Sequence, residues 1–381
     1  MRSTTIVTAT ILAFSFVTIA SSSSEAPAAT ESSWPMFRGN PSLDGTSPST
    51  LPDSLDLLWT FETEKPVRSS AAIAGGKVYI GSNDGFIYCL DFETGDKIWS
   101  YETENAVEAS PLVLGDKVYC GSVDSFMYCL DAATGKEIWK YETYDKILSS
   151  ANWAPSPKGG APWIVFGSYD AFIHCVDSET GNPVWTYETA NYVNGTPSIA
   201  DGTVVAGGCD AQIHVVRVED GTAAAIGDAG AYIAASVARA DGKAYIGHYG
   251  NEFLSFDIKS GTIEWTYKDR AFAYFSSPAV GENQIVVGCR DKRVHCIDRE
   301  TGEGIWQFRT RGQVDSSPVI CGDRLVVGSE DGRLYIISLD KGEEIWSYEI
   351  GEGILSSPAV ASGKVVIGSE DGSVYAFGTK D

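Results

Sequence analysis

Short runs of apolar residues recur along the chain, separated by clusters of Gly, Asp, Asn and Thr. Runs such as "KVYIGS", "FIYCLD" and "KIWSYE" are rich in β-branched and aromatic residues. This enrichment, with Gly and Asp between the runs, predicts short strands joined by tight turns. Apolar residues are not spaced three and four apart over this region, so helices are not predicted. The pattern therefore predicts an all-β protein.

The runs are organised as a repeat. The phrase "DGFIYCLDFETGDKIW" (residues 84–99) returns as "DSFMYCLDAATGKEIW" (residues 124–139), and further copies follow along the chain. Eight units of about forty residues, each with four predicted strands, indicate an eight-bladed β-propeller of four-stranded antiparallel blades. Seven units carry a Trp at one fixed slot, and the eighth has Ala225 there. The seven are Trp59, Trp99, Trp139, Trp185, Trp265, Trp306 and Trp346.

The first and last units are each incomplete. Trp59 precedes the first complete unit, whereas the last copy, "DGSVYAFG" (residues 371–378), stops before any Trp. We therefore expect the strand around Trp59 to complete the last blade, which closes the ring and removes an exposed sheet edge.

Each Trp is expected to dock on the Thr-Gly turn of a neighbouring blade, because an indole buries a large apolar area against a flat peptide. Ala225 interrupts this girdle, and a local packing substitute is predicted there. The regular spacing of the Trp residues favours this structural role over a ligand site. The turn glycines are Gly95, Gly135, Gly181, Gly261, Gly302 and Gly342.

The N-terminus has the composition of a secretory signal. One Arg precedes an apolar stretch, so residues 1–20 are interpreted as a signal peptide, with cleavage after Ala20 or as late as Ala29. Residues 21–55 are interpreted as a Ser/Pro-rich linker and lead-in, and residues 56–381 as the propeller. No Cys lies near the apolar stretch, so a lipoprotein anchor is not predicted. We expect an exported protein, periplasmic or extracellular, without a membrane span in the mature chain.

Charge and cysteine content narrow the function. The chain has 51 acidic and 28 basic residues, a net charge of −23. Nucleic-acid binding needs a basic face, so it is not expected. Four of the eight Cys share one slot of the repeat that suits a small apolar residue and are interpreted as core residues: Cys89, Cys129, Cys175 and Cys296. Two cross-strand disulfides remain open alternatives because their cysteines flank a hairpin: Cys120 with Cys129, and Cys289 with Cys296.

No catalytic or metal-binding arrangement is evident. His174, His214 and His295 all occupy the slot that holds Tyr in other units, so they lie in separate blades, and His248 is alone. Metal ligands must converge on one ion, so no metal site is predicted. The Ser-rich segments have no His placed for a catalytic triad, and no catalytic residue is predicted.

The repeat resembles the tryptophan-docking motif of the pyrroloquinoline quinone (PQQ) propeller family. The motif, a small apolar residue followed by Asp, Thr-Gly and Trp, reads here Cys89, Asp91, Thr94, Gly95 and Trp99. The resemblance covers roughly residues 57–378 and implies the propeller fold. That family includes quinoprotein dehydrogenases, BamB-like outer-membrane assembly factors and sensor propellers, so the resemblance leaves the function open.

The resemblance also implies what a PQQ site would need. PQQ is a tricarboxylate, held in such dehydrogenases with Ca²⁺, basic side chains and a vicinal Cys-Cys disulfide. This sequence has no adjacent Cys pair. The residues that precede the "SS" slot of each unit are expected to form the channel mouth, and they include only one base. The candidate small-ligand residues there are Arg68, Glu108, Asn194, Phe275 and Asp315.

We therefore expect an exported, monomeric, non-catalytic scaffold that binds an envelope protein or a small ligand and holds no cofactor. The candidate partner-binding loop is the insertion "NWAPSPKGGAPW" (residues 152–163), with Asn152, Trp153 and Trp163. The alternative, that both Trp side chains cover blade three, remains open. The alternative functions are a PQQ- and Ca²⁺-dependent alcohol or sugar dehydrogenase and a small-ligand-binding sensor.

Overall fold

The computed structural model describes Met1 and residues 28–380 of the chain. Their regular structure consists of 33 strands in eight sheets, one sheet per blade. The prediction of an all-β, eight-bladed propeller is confirmed. Apart from Met1, the predicted signal peptide lies outside the described residues. Within the described part of the chain, no helix is long and apolar enough to cross a membrane.

Blades one to four each contain four antiparallel strands, ordered from the channel outwards. Their bounds are β3 (Ala72–Ala74), β4 (Lys77–Gly81), β5 (Phe86–Asp91) and β6 (Lys97–Glu102); β7 (Leu112–Leu114), β8 (Lys117–Gly121), β9 (Phe126–Asp131) and β10 (Glu137–Glu142); β11 (Asn152–Ala154), β12 (Trp163–Gly167), β13 (Phe172–Asp177) and β14 (Pro183–Glu188); β15 (Ser198–Ala200), β16 (Thr203–Gly207), β17 (Gln212–Arg217) and β18 (Ala223–Asp228).

Blades five to eight repeat this plan, and the last two recruit strands from the N-terminal part of the chain. Their bounds are β19 (Ala238–Ala240), β20 (Lys243–Gly247), β21 (Phe253–Asp257) and β22 (Thr262–Tyr267); β23 (Ala279–Val280), β24 (Gln284–Cys289), β25 (Arg293–Asp298) and β26 (Gly304–Arg309); β27 (Val319–Cys321), β28 (Arg324–Gly328), β29 (Arg333–Ser338) and β30 (Glu344–Glu349), with β1 (Thr46–Ser47); β31 (Ala359–Ala361), β32 (Lys364–Gly368) and β33 (Ser373–Gly378), with β2 (Asp56–Glu62).

The burial of each strand explains its sequence. The third strand of blade one, β5, is buried along four consecutive residues because neighbouring blades cover both of its faces. The outer strand β6 faces solvent, and Trp99 is its one buried residue. Continuous apolar runs therefore occupy the inner strands, and the isolated Trp marks the outer strand.

The ring closes as predicted. Strand β2 pairs antiparallel with β33, and Trp59 lies opposite Ala376. Strand β2 thus supplies the outer strand of the last blade.

The "SSP" segments build a second closed ring around the channel. In each blade the backbone N–H of the second residue of this slot donates to the hydroxyl of the equivalent residue in the next blade, at 2.8–3.1 Å. The last of these bonds runs from Ser357 to Ser70 and joins blade eight to blade one. This ring of hydroxyls lies just inside the channel mouth.

The lead-in, residues 34–49, seals the other end of the channel. It was expected to be a linker, but it crosses the ring and hydrogen-bonds to the innermost strand of every blade. The eight partners, from blade one to blade eight, are Ile73, Val113, Asn152, Ile199, Arg239, Val280, Ile320 and Val360. The channel is therefore open at one end only.

A buried arginine anchors this seal. The Arg38 side chain is 1% exposed and donates to the carbonyl oxygens of Pro278, Ser317 and Pro318 at 2.6–3.1 Å. Burial lowers the pKa of Arg38 to about 9, which is still above neutral pH, so the side chain is charged. Its three carbonyl partners compensate for the lost hydration of that charge.

The docking tryptophans contact the turn glycines of the next blade. A Cβ atom added to Gly95 would lie 2.7 Å from the Trp59 ring, and one added to Gly135 would lie 2.7 Å from Trp99. The Trp59 Nε1 also donates to the Phe92 carbonyl oxygen at 3.1 Å. The same ring-to-glycine contact joins Trp139 to Gly181, Trp185 to Gly221, Trp265 to Gly302 and Trp306 to Gly342. Whether these contacts hold the blades together stays a prediction.

The boundary between blades four and five is built differently. A Cβ atom at Gly261 would meet only Ala225, at 3.6 Å. The ring of Phe256, which is 1% exposed, fills the space beside Gly227, where most other blades carry Tyr or Phe. Phe256 thus replaces the missing aromatic residue at position 227, whereas a substitute for the missing Trp at position 225 stays a prediction.

All eight cysteines are free thiols, so neither of the two cross-strand disulfides is formed. Seven of the eight are buried, including the four interpreted as core residues.

Candidate functional site at the channel mouth

The predicted mouth residues converge on one cavity. It has a volume of about 310 Å³, and Phe37 of the lead-in lines it together with the hydroxyl ring. Eight residues, one from each blade, form what we call the mouth ring: Arg68, Glu108, Leu148, Asn194, Ala234, Phe275, Asp315 and Leu355. The structure therefore brings together all five candidate ligand residues. Their role in binding stays a prediction.

A second ring of residues surrounds the first and was missed by sequence reasoning. It comes from the hairpins between the second and third strands of each blade. Its residues occupy the position before the Asp that recurs in most of the repeats. We call it the rim: Asn83, Val123, Tyr169, Cys209, Tyr249, Arg290, Glu330 and Glu370. Within the repeats this position varies while its neighbours recur as "GS" and "D", and that contrast is the signal that could have found it.

Rim and mouth-ring residues of neighbouring blades form ion pairs. Arg68 forms a bidentate pair with Glu370 at 2.9 and 3.1 Å, and a longer contact to Glu108 at 3.6 Å. The hydrogen bonds that Arg68 donates to Glu370 are the largest influence on the Arg68 guanidinium and raise its pKa. Arg68 is therefore neutralised by carboxylates on both sides.

The second arginine of the mouth is paired in the same way. Arg290 donates two close hydrogen bonds to the carboxylate of Asp315, the shorter at 2.6 Å. Its guanidinium carbon lies 3.5 Å from the ring centre of Phe275, and Tyr249 packs edge-on against that ring at 4.5 Å. The hydrogen bond to Asp315 raises the pKa of Arg290. This cluster of charge and aromatic rings forms one wall of the mouth.

Two acceptors at the rim are left without partners. Glu330 has no ion pair within 4.0 Å among the described residues. Burial raises the pKa of Glu330, and the neighbouring Asp315 adds to the effect. The Asn83 amide donates to Glu108 at 3.3 Å, but its buried Oδ1 accepts no hydrogen bond from any described residue. Four carboxylates face two arginines in the two rings, so the mouth is net negative.

Exposed aromatic side chains cover half of the mouth face. The loops of blades three to six carry five large aromatic residues with 45–94% exposure. Blades seven, eight, one and two carry no aromatic residue at the equivalent loop positions, where charged residues and Gly are the most frequent. We call the aromatic set the tyrosine arc: Tyr144, Tyr192, Tyr232, Tyr249 and Phe272.

The residues named for the predicted partner-binding loop are not exposed. Asn152 and Trp153 lie in β11, Trp163 begins β12, and all three are buried at 0%, 7% and 4% exposure. Asn152 instead donates to Pro41 and Pro197 and holds the lead-in in place. The structure agrees with the alternative interpretation, in which both Trp side chains cover blade three, because both indoles pack within the core of blade three and its neighbours.

The rest of the insertion borders a groove on the sealed face. This groove, of about 540 Å³, is lined by Pro155 and Pro157 of the insertion and by Pro41, Ile199 and Val218. Partner binding by the loop itself stays a prediction.

One group of potential metal ligands occurs among the described residues. Cys289, Asp291 and His295 are buried, with ligand atoms within 4.8 Å of one another. His295 bonds through Nε2 to Asp291 and through Nδ1 to Tyr267, at 3.1 and 3.0 Å. His174 and His214 make the same pair of contacts, to the Asp of their own blade and to a Tyr of the preceding blade. The histidines therefore continue the Tyr-to-Asp contact of the repeat, such as Tyr88 to Asp84 at 2.8 Å.

Comparisons with known proteins agree with this architecture. The chain matches the family described as "Outer membrane protein assembly factor BamB" over residues 52–157, 146–307 and 290–381. No curated protein matches the chain significantly in sequence.

Three solved structures illustrate the similarity of fold. BamB from Moraxella catarrhalis is 20% identical with a TM-score of 0.69, over 86% of this chain and 98% of that one. Quinohemoprotein alcohol dehydrogenase from Comamonas testosteroni is 15% identical with a TM-score of 0.79, over 93% and 82%. The computationally designed Ika8 protein is 18% identical with a TM-score of 0.75, over 85% and 99%. At these identities the similarity shows the fold alone.

Proposed function

This chain belongs to the family of the outer membrane protein assembly factor BamB, and we propose that it is a non-catalytic scaffold that binds a protein partner in the cell envelope. The expected export by the N-terminal signal would place it in the periplasm or outside the cell. We propose that it acts there as a monomer.

The tyrosine arc is the observation that carries this proposal. Tyr side chains give large contact area at a low entropic cost and are enriched in protein interfaces. Here they stand on short loops held by rigid blades, and Tyr144 is 94% exposed. Five exposed aromatic side chains on one face of a protein of net charge −23 support a surface that a partner covers.

The alternative function, a PQQ-dependent dehydrogenase, is less well supported by the mouth. PQQ would bring three carboxylates to a site whose two arginines, Arg68 and Arg290, already pair with carboxylates. A further anion would be repelled by the excess negative charge, and an arginine would have to leave its partner to bind it. The residues present therefore do not fit PQQ, and we propose no cofactor.

Site-specific photo-crosslinking tests the scaffold proposal. A photoreactive amino acid at Tyr192 or Tyr232 should give one reproducible protein adduct in cells that produce the protein. The same group at Lys136, an exposed turn residue of the sealed face, is the matched control and should give none. A third position, Pro157 beside the groove, tests the predicted loop separately. Absence of any adduct at the two Tyr positions contradicts the proposal.

Titration with PQQ and Ca²⁺ tests the alternative. The scaffold proposal expects no bound quinone absorbance and an unchanged melting temperature. Stoichiometric binding with a raised melting temperature would favour the dehydrogenase instead.

A further inference from the structure

The mouth has the properties of a receptor for a positive charge. Both arginines of the two rings are already paired with carboxylates. Beside the rim, the Nζ of Lys146 lies 4.3 Å from the ring centre of Tyr169, and the four carboxylates of the two rings still outnumber these three cations. The carboxylate of Glu330 is exposed and has no ion pair within 4.0 Å among the described residues. A donor that carries a positive charge would offset the excess negative charge and pair with Glu330.

The shape of the site fits a long, thin side chain. The cavity of about 310 Å³ is a dead end, since the lead-in closes the channel below it and Phe37 forms part of its lining. Four of the eight mouth-ring residues are apolar and lie among the polar ones: Leu148, Ala234, Phe275 and Leu355. An aliphatic stem could lie against these residues while its charged head meets the carboxylates, as Lys and Arg stems do elsewhere.

The tyrosine arc lies beside this cavity. Tyr249 belongs to both the rim and the arc, so the aromatic surface begins at the edge of the mouth. A peptide segment that places one side chain in the mouth would therefore lay its flanking residues on exposed Tyr rings. A small free amine would use the mouth but not the arc.

We propose that the mouth accepts a lysine or arginine side chain from an extended segment of the partner protein, which rests on the tyrosine arc. This inference builds on the proposed scaffold function and adds the chemistry that the partner must carry. The negative charge of the whole protein would also speed the approach of such a basic segment.

A peptide titration tests this assignment. The probe is a nine-residue peptide of Gly, Ser and Leu with blocked ends, one central Lys and a fluorescent label, and its binding is followed by anisotropy. Two matched peptides carry norleucine or Glu at the centre. The Lys peptide should bind at least about fivefold more tightly than the norleucine peptide, and its affinity should fall with added salt, because the contact is an ion pair near the surface.

Two protein variants locate the binding. Glu330→Gln removes the carboxylate that lacks a partner and keeps its size, and it should weaken the Lys peptide roughly fivefold while leaving the norleucine peptide unchanged. Glu104→Gln removes the same charge from the same face, outside both rings, and should change neither affinity. Equal effects of the two variants, or equal affinities of the Lys and norleucine peptides, would overturn the proposal.

The crosslinking experiment separates this proposal from the one it builds on. An adduct at Tyr232 that persists unchanged in the Glu330→Gln protein, together with equal affinities of the Lys and norleucine peptides, would leave the scaffold standing and refute the basic side chain. If the protein without the Glu330 substitution gives no adduct at Tyr192 or Tyr232, the scaffold proposal itself is refuted.

Discussion

The two ends of the central channel are built from the same eight repeats but treat their polar groups differently. At the sealed end, the lead-in bonds to all eight blades, and the Arg38 charge is held by three carbonyl groups. At the mouth, the exposed carboxylate of Glu330 has no ion pair among the described residues. Backbone bonds to every blade hold the ring together, whereas an exposed carboxylate at an opening can pair with a ligand. We therefore assign ring closure to one end and propose binding at the other.

Shortening the chain from its N-terminus should have the largest effect on the sealed end. A chain that begins at Lys65 lacks β2, so blade eight loses its outer strand and the ring stays open. We expect this protein to lose its cooperative thermal transition, measured by calorimetry and circular dichroism.

A chain that begins at Pro52 is the matched control. It keeps β2 but loses the lead-in, and should still unfold cooperatively at a lower temperature. Late and cooperative melting of the Lys65 chain would show that closure by β2 does not hold the ring.

The Trp contacts on the turns of the sealed face should give the next largest effect. Gly135→Ala would place a methyl group 2.7 Å from the Trp99 ring, whereas Gly115→Ala, in the same blade and at a similar positive φ, meets nothing within 4 Å. We expect Gly135→Ala to lower the free energy of unfolding by about 2–3 kcal/mol more than Gly115→Ala. Chemical denaturation measures this difference.

The boundary between blades four and five sharpens that test. At Gly261 the facing residue is Ala225, at 3.6 Å, so Gly261→Ala should cost no more than Gly115→Ala. Equal costs at all three glycines would mean that the indoles do not lock the blades.

Displacing Arg38 should have a smaller effect. A Cβ at Gly45 would lie 1.8 Å from the Arg38 guanidinium, whereas one at Gly202, with nearly the same φ, meets nothing. Gly45→Ala should therefore destabilise the protein by about 1–2 kcal/mol more than Gly202→Ala. If both variants melt alike, the buried arginine is not an anchor.

The smallest change in stability is expected at the mouth. Glu330→Gln should leave the free energy of unfolding within about 0.5 kcal/mol of the unaltered protein at neutral pH, or raise it slightly. The pKa of Glu330 is raised in the folded protein, so its ionised form is disfavoured there, and any gain should vanish at a pH where the carboxyl is protonated in both states.

The charged groups around Glu330, namely Asp315, Arg290, Glu370 and Lys292, stay unchanged in this variant. A loss of several kcal/mol would show that the rim is structural after all.

The repeat explains which features could be predicted from the sequence. The alignment of the repeats was enough to predict that Arg68, Glu108 and Asp315 surround one mouth. Equivalent positions of the blades lie around the same part of the central channel. The closure by the strand around Trp59 followed from the incomplete first and last units.

The remaining features depend on non-repeating segments, for which register gives no information. The lead-in has no equivalent in the blades, so its path across the channel and the burial of Arg38 could not be read from periodicity. The insertion in blade three looked exposed because it is polar in part, yet Trp153 and Trp163 continue the core strands. The ion pairs of Arg68 and Arg290 depend on side-chain geometry between blades.

The most direct test of the division between the two ends is the affinity of the Lys peptide for Glu330→Gln and Gly45→Ala proteins, measured side by side below both melting temperatures. We predict a loss of about fivefold for Glu330→Gln and an affinity within about twofold of the unaltered protein for Gly45→Ala, although the latter is the less stable. Weaker binding by Gly45→Ala than by Glu330→Gln would contradict the account.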